Sequence, residues 1–349
     1  QAVDIDGDGD LDPSILGSGA IDAWQNTHAD LVGGCNQPCL DGPGVNLVTL
    51  ADLFDFVYAD IDGDADLDIV ATTTGGGDAV VWFANNGSGA FSGAQTVLAS
   101  ASGASRITAM DVDHDGDQDL LLGASADNDA LLIENLGAGA SWSVATVDAD
   151  LTGAEHVIAA DVDGDGDEDV VGIGSAGLTW YENQRLHTSV TFGTETAIYT
   201  SGSNLQRFAF ADFDRDGDLD LIGGDSGGDG TIHHIQNLGG LGTVWSGANV
   251  LNQFLTNVRQ GLAFDVDGDG DLDAVGINNN GGTYAQYFLN DGAGNLATPG
   301  NTFPGAGSAQ AHMVVGDIDN DGDLDMAKAS NSSGAVYWHR NNGGGSWTN

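Results

Sequence analysis

Apolar positions along this chain of 349 residues fall in short runs, not in helical stripes. Ile107-Thr108-Ala109-Met110 and Val157-Ile158-Ala159-Ala160 each lead into an acidic segment, and a second run follows it, Leu120-Leu121-Leu122 or Val170-Val171. Ile69-Val70 occupies the same place in another copy. Aliphatic and β-branched runs of this length, bounded by turn formers, predict strands. A third strand comes next and runs up to an asparagine in every copy: Asn26, Asn85, Asn135, Asn183, Asn237, Asn290 and Asn341. Asparagine accepts left-handed backbone and makes Asx turns, so it predicts the end of that strand. Glycines follow several of these asparagines, and a fourth strand is visible at 94–98 and 141–147.

The acidic segment is a nonapeptide, D-x-D-x-D-G-D-x-D, that occurs seven times at intervals of 50 to 56 residues. Its aspartates are Asp4, Asp6, Asp8, Asp10 and Asp12, then Asp60, Asp62, Asp64, Asp66 and Asp68, then Asp111, Asp113, Asp115, Asp117 and Asp119. The fourth and fifth copies hold Asp161, Asp163, Asp165, Asp167 and Asp169, and Asp212, Asp214, Asp216, Asp218 and Asp220. The last two hold Asp265, Asp267, Asp269, Asp271 and Asp273, and Asp317, Asp319, Asp321, Asp323 and Asp325. Five carboxylates in so short a loop repel one another unless a hard divalent cation gathers their oxygens, and calcium, which takes six to eight oxygen ligands, fits best. The first, third, fifth and ninth positions are expected to give carboxylates and the seventh its backbone carbonyl, so about seven structural calcium ions are expected. Magnesium asks for a stricter octahedron, and no imidazole or thiolate recurs for zinc. A glycine at position six permits the sharp turn; Ala65 replaces it in the second copy, where a weaker or distorted site is expected. These are not EF-hands. The twelfth position, where an EF-hand carries its bidentate glutamate, is Ile15, Ala71, Leu122, Gly172, Gly223, Gly276 and Lys328.

Four strands in each of seven repeats predict an all-β chain forming one domain, a seven-bladed β-propeller with four-stranded blades and a calcium loop between the first two strands of each. Composition agrees: 55 glycines, 41% hydrophobic residues and only 7 Lys and Arg suit many short strands and turns. The formal net charge of −46 opposes binding to nucleic acid and to anionic membrane surfaces, which attract proteins through Lys and Arg. No run reaches the ~20 apolar residues of a membrane helix, so no membrane insertion is expected. Cys35 and Cys39, four apart, suit one local disulfide, with unpaired thiols or a redox pair as alternatives.

Candidates for chemistry are few. His233 and His234 are adjacent on a strand and point to opposite faces, which suits structural or solvated roles; His114 sits at a non-ligand position of the third loop. Ser, His and Asp occur without a G-x-S-x-G context. The loop carboxylates are committed to cations, which lowers their value as acid and base, so no catalytic residue is expected. Trp24, Trp82, Trp180, Tyr287 and Trp338, at matching third-strand places, serve blade packing or stack on sugar rings. Asn86 and Asn331 head short glycosylation sequons.

The loops, their strand context and the third strand Trp180-Tyr181-Glu182-Asn183 resemble the FG-GAP or VCBS repeats of bacterial extracellular proteins and, more distantly, the calcium-binding blades of integrin α heads. The resemblance covers essentially the whole chain. It implies a seven-bladed propeller, calcium on the aspartates named above, and a secreted or cell-surface location. It does not imply a single function, because related modules serve adhesion, sugar binding and accessory roles in enzymes. The leading expectation is a non-enzymatic structural or adhesive protein whose partner is itself or an extracellular glycan or protein; the alternative is a lectin-like polysaccharide-binding module. From Asp317 to Asn349 and on through Val3 the interval is shorter than between any two loops. The outer strand of the last blade and the inner strand of the first are therefore expected to be incomplete, with an exposed third-strand edge near 335–340. Two explanations stand: a truncated or tolerated short blade, or neighbouring subunits completing one another in a head-to-tail fibre, with the excursion at 26–45 as a second contact.

Overall fold

The runs on either side of each acidic loop pair as antiparallel strands. Leu53–Ala59 lies against Asp68–Thr73 with Tyr58 opposite Ile69, and Ala104–Met110 against Asp119–Ala124 with Met110 opposite Asp119. His156–Ala160 with Asp169–Gly174, Leu205–Ala211 with Asp220–Asp225, Val258–Phe264 with Asp273–Asn278 and Gln310–Gly316 with Asp325–Ser330 repeat the arrangement. In this computed structural model the described residues are all except 1, 8–10, 17–18, 25–43, 76–77, 185–190, 201–204, 226–230, 253–257, 279–284, 298–299, 304–309, 320, 331–335 and 349. Cys35, Cys39, Asn26, Asp8, Asp10 and Asn331 lie outside them.

Third strands (Val80–Phe83, Asp129–Asn135, Gly177–Tyr181, Ile232–Ile235, Ala285–Phe288 and Val336–Asn341) add to the second, and a fourth strand closes each unit in simple up-and-down order. Five sheets have four strands. A sixth has eight, in two four-stranded halves joined by one parallel bridge between Arg207 and Gln260. From Leu53–Ala59 to Gln310–Gly316 the first strands of successive units lie side by side, and Ala2–Val3 lies beside Gln310–Gly316, so the chain returns to its start. The molecule is an all-β propeller. Among the described residues no helix is long and apolar enough to cross a membrane.

Second strands are buried on both faces throughout Asp68–Thr73, Asp119–Ala124 and Asp169–Gly174, which is why their sequences read as continuous apolar runs instead of alternating ones. The core lies between sheets: Ile61, Val70 and Trp82 of one unit pack with Ile107, Leu120 and Ile133 of the next, and Phe213, Ile222 and Ile232 pack with Ala274 and Phe288. The second position of every loop (Ile5, Ile61, Val112, Val162, Phe213, Val266 and Ile318) is buried and anchors its acidic loop to this core. Strands at the two chain ends are short. Ala2–Val3 has two residues against seven in Leu53–Ala59, and Trp347–Thr348 pairs with Arg340 and Asn341.

Candidate metal centre

Each loop is a shaped turn. The first aspartate caps it from inside: its carboxylate accepts the position-six amide from Gly116, Gly166, Gly217, Gly270 and Gly322 at 2.8 to 3.2 Å. The fifth-position carboxylate accepts the seventh-position amide, as in Asp117 N–H to Asp115 at 2.9 Å. Position six has left-handed backbone in the second to seventh loops, with glycine φ between +91° and +100°; Ala65 adopts +76° and still donates to Asp60 at 2.9 Å. The substitution therefore leaves the turn intact and carries backbone strain instead. Position four is also left-handed in the first six loops, where it includes the non-glycine residues His114 (+56°) and Arg215 (+60°).

The ninth aspartates are a hidden tier. Asp12, Asp68, Asp119, Asp169, Asp220, Asp273 and Asp325 are all buried. In each, Oδ2 accepts the amide of loop position two, at 2.8 Å from Val266 to Asp273 and up to 3.4 Å from Phe213 to Asp220. In six of the units Oδ1 accepts the amide of the repeating asparagine, at 2.7 to 2.9 Å. Burial pushes Asp119 and Asp273 up to about 7 and Asp68, Asp169 and Asp325 up to about 6, against the downward pull of those amides. Third-position carboxyls (Asp62, Asp113, Asp163, Asp214, Asp267 and Asp319) are also raised, by burial and by the neighbouring loop charges.

Carboxylate oxygens of Asp4, Asp6 and Asp12, of Asp60, Asp62 and Asp68, of Asp111, Asp113 and Asp115, and of Asp161, Asp163 and Asp169 converge within 4.8 Å. Oδ1 of Asp62, Asp214, Asp267 and Asp319 is shut off from solvent with no hydrogen-bond donor. Sequestered acceptors without donors, in an all-oxygen cradle, fit a hard cation such as calcium. Seventh-position carboxylates turn elsewhere, toward the glycine turn that follows the asparagine. A Cβ on Gly292 would stand 2.7 Å from Asp271 Oδ2, and one on Gly240 2.3 Å from Asp218 Oδ1. That close approach, with φ of +73° and +66°, is why glycine recurs there.

Three features escape sequence reading. The repeating asparagine ends its strand as expected, and it also clamps neighbouring units: the Nδ2 of Asn85, Asn135, Asn237, Asn290 and Asn341 donates to the position-two carbonyl of the preceding loop, 74 to 80 residues away. In two units the residue just before that asparagine reaches the third-position aspartate of its own loop: Gln236 donates to Asp214 at 3.1 Å, and Arg340 contacts Asp319 at 2.7 Å and also Asp321 at 2.9 Å. Arg340 therefore sets a positive charge where the other loops would receive a cation. Finally, Asp148, Asp150 and Glu195 gather outside the loops, beside the Tyr181 hydroxyl, which donates to Asp148. They line a cavity of about 210 Å³ with Thr152 and Tyr199.

Other candidates resolve as structural. His233 and His234 are buried, the first 2.6 Å from Thr231 and the second edge-on to Phe213, and His114 is exposed. Trp82 and Trp180 are buried between sheets, which removes them as sugar platforms; Trp24, Tyr287 and Trp338 are half-buried.

A family model described as the FG-GAP-like repeat matches residues 60–122, 161–223 and 265–328. No curated protein matches the chain. Among solved structures, the BP39L lectin of Burkholderia pseudomallei superposes with a TM-score of 0.65 at 15% identity, over 100% of this chain and 96% of the lectin. A lectin of Agrocybe aegerita, described as recognising non-reducing terminal N-acetylglucosamine, gives 0.61 at 21% identity over 86% and 79% of the two chains. A Bacteroides fragilis protein described as a candidate 6-phosphogluconolactonase gives 0.62 at 13% identity over 98% and 94%.

Proposed function

Given that this chain belongs to the FG-GAP-like repeat family, we propose that it is an extracellular seven-bladed β-propeller, held in shape by calcium, that works as a non-enzymatic carbohydrate-binding module. Calcium would sit on the first-, third-, fifth- and ninth-position aspartates of each loop and neutralise charges that, at Asp62, Asp68, Asp113 and Asp119, burial otherwise forces toward protonation. The observation that carries the metal is the set of sequestered, donor-free oxygens at Asp62, Asp214, Asp267 and Asp319. Two lectins among the structures that share the fold over most of their length support a glycan as the ligand. The cleft of Asp148, Asp150, Thr152, Glu195 and Tyr199 supports it too, because carboxylates accept from sugar hydroxyls and a ring offers a stacking face.

A glycan array probed with calcium-loaded protein tests the ligand; saturable binding of one sugar class supports the reading, and an empty array defeats it. Chelation with EDTA tests the metal. At a calcium concentration about 100 times Kd each independent site adds ~2.7 kcal/mol, so removal should lower the melting temperature sharply, and an unchanged melt defeats the calcium assignment.

A further inference from the structure

The chain has seven cationic side chains, Lys328 and six arginines, against 53 acidic ones. Three of those arginines, Arg106, Arg207 and Arg259, come together on first strands. Arg106 and Arg207 are the third residues of Ala104–Met110 and Leu205–Ala211, and Arg259 is the second of Val258–Phe264. Their guanidiniums are not equally paired. Arg207 pairs with Asp55 at 3.0 Å, bridging units 152 residues apart. Among the described residues Arg259 reaches the Gln206 amide oxygen, at 3.5 Å, while Gln206 donates to Glu155 at 3.4 Å. The Nε atoms of Arg106 and Arg259 are both shut off from solvent without an acceptor. Among the described residues, Asp55 and Glu155 are the carboxylates that act on Arg106. Burial, and then the neighbouring Arg207, pushes Arg106 down to about 10 against the upward pull of Asp55 and Glu155.

These groups border a cavity of about 480 Å³ whose lining includes Ser105, Arg106, Glu155, Ser175, Gln206 and Arg259. That size falls within the range of small-molecule sites. Hydroxyls, an amide and one carboxylate suit a polyhydroxylated ligand, and guanidinium forks suit a planar carboxylate, which they bind in bidentate fashion. We infer that the centre of the propeller is a binding site for a carboxylated sugar of the hexuronate class, with Arg106 and Arg259 holding the carboxylate and Gln206, Ser105 and Glu155 the hydroxyls. The inference rests on the carbohydrate-binding reading and locates one ligand on residues separate from the calcium loops and from the cleft at Asp148.

Calorimetry on the calcium-loaded chain tests it with D-galacturonate and D-glucuronate, their neutral parents galactose and glucose, and sodium sulfate. Uronate binding should exceed that of the neutral parent by at least ~10-fold, and Arg106→Gln and Arg259→Gln should each weaken it ~10- to 100-fold, the worth of one charge-assisted bond, with the calcium-dependent melt unchanged. Tighter binding of a trigalacturonate than of the monosaccharide assigns the end of an acidic polysaccharide, and equal binding a free uronate; both uphold the site. Equal binding of uronate and neutral parent overturns it, as does sulfate matching uronate, or variants that melt normally and bind unchanged. Neutral sugars binding wild type and both variants alike, with no uronate preference, would leave the carbohydrate-binding reading standing without this site. No sugar binding anywhere would remove both.

Discussion

Replacing Asn135 with alanine should cost this protein about 3 kcal/mol of stability. Asn135 is 1% exposed, and its side chain makes three hydrogen bonds: Nδ2 donates to the Ile61 carbonyl at 3.0 Å, and Oδ1 accepts from the amides of Gly137 at 3.2 Å and Gly139 at 2.9 Å. The first crosses between units and the other two fold the turn that follows. The backbone bond to Asp119 survives the substitution. At about 1 kcal/mol net for each lost bond, with the buried Ile61 carbonyl left without its donor and the turn amides free to find water, the loss comes to ~2–4 kcal/mol. Asn135→Asp should be worse, because a carboxylate oxygen would then face a carbonyl. Urea denaturation in saturating calcium reads the change from the midpoint at constant slope. Asn86→Ala is the control, since its side chain is exposed and bonds only within its own turn, to Ser88 and Ala90. If Asn135→Ala shifts the midpoint no further than Asn86→Ala, the asparagine is a turn former and nothing more.

Ala65→Gly should stabilise by about 0.5–1 kcal/mol, because removing Cβ from a residue at φ +76° relieves ~1–2 kcal/mol of strain while the freer unfolded chain takes back part of it; a lower urea midpoint would contradict this. Arg340→Gln should tighten calcium at the last loop by roughly tenfold, since the guanidinium occupies Asp319 and Asp321; titration calorimetry showing equal or weaker affinity would defeat the idea. His339, fully buried, is held down to about 3 by burial and then by the nearby charge of Lys328, against an ordinary value near 6.5. Its folded value lies below its unfolded one, so the stability it contributes is present above about pH 6.5 and is lost as pH falls toward 3. Stability measured from pH 7 to 4 should therefore fall more steeply in wild type than in His339→Phe, and parallel curves would refute the assignment.

What the sequence determined by itself was everything governed by local period and by repetition. Strand runs, the acidic loop between first and second strands, and the turn after the third are written in contiguous residues, so Asp60 through Asp68 announces its shape without reference to the rest of the chain. The EF-hand alternative fell for the same reason, since the twelfth position needs only to be read. Tertiary structure alone decided which repeated residue serves which neighbour. Asn135 and Ile61 are 74 residues apart, and Arg207 and Asp55 are 152 apart; no spacing rule joins either pair, because closing the propeller, and no pattern along the chain, brings first strands together. Burial divided the aspartates as well: a ninth residue that looks like four others becomes a buried acceptor for two amides, while the seventh turns to its glycine. Arginines scattered through an acidic sequence acquire a common meaning only in the folded chain, where Arg106 and Arg259 line one cavity.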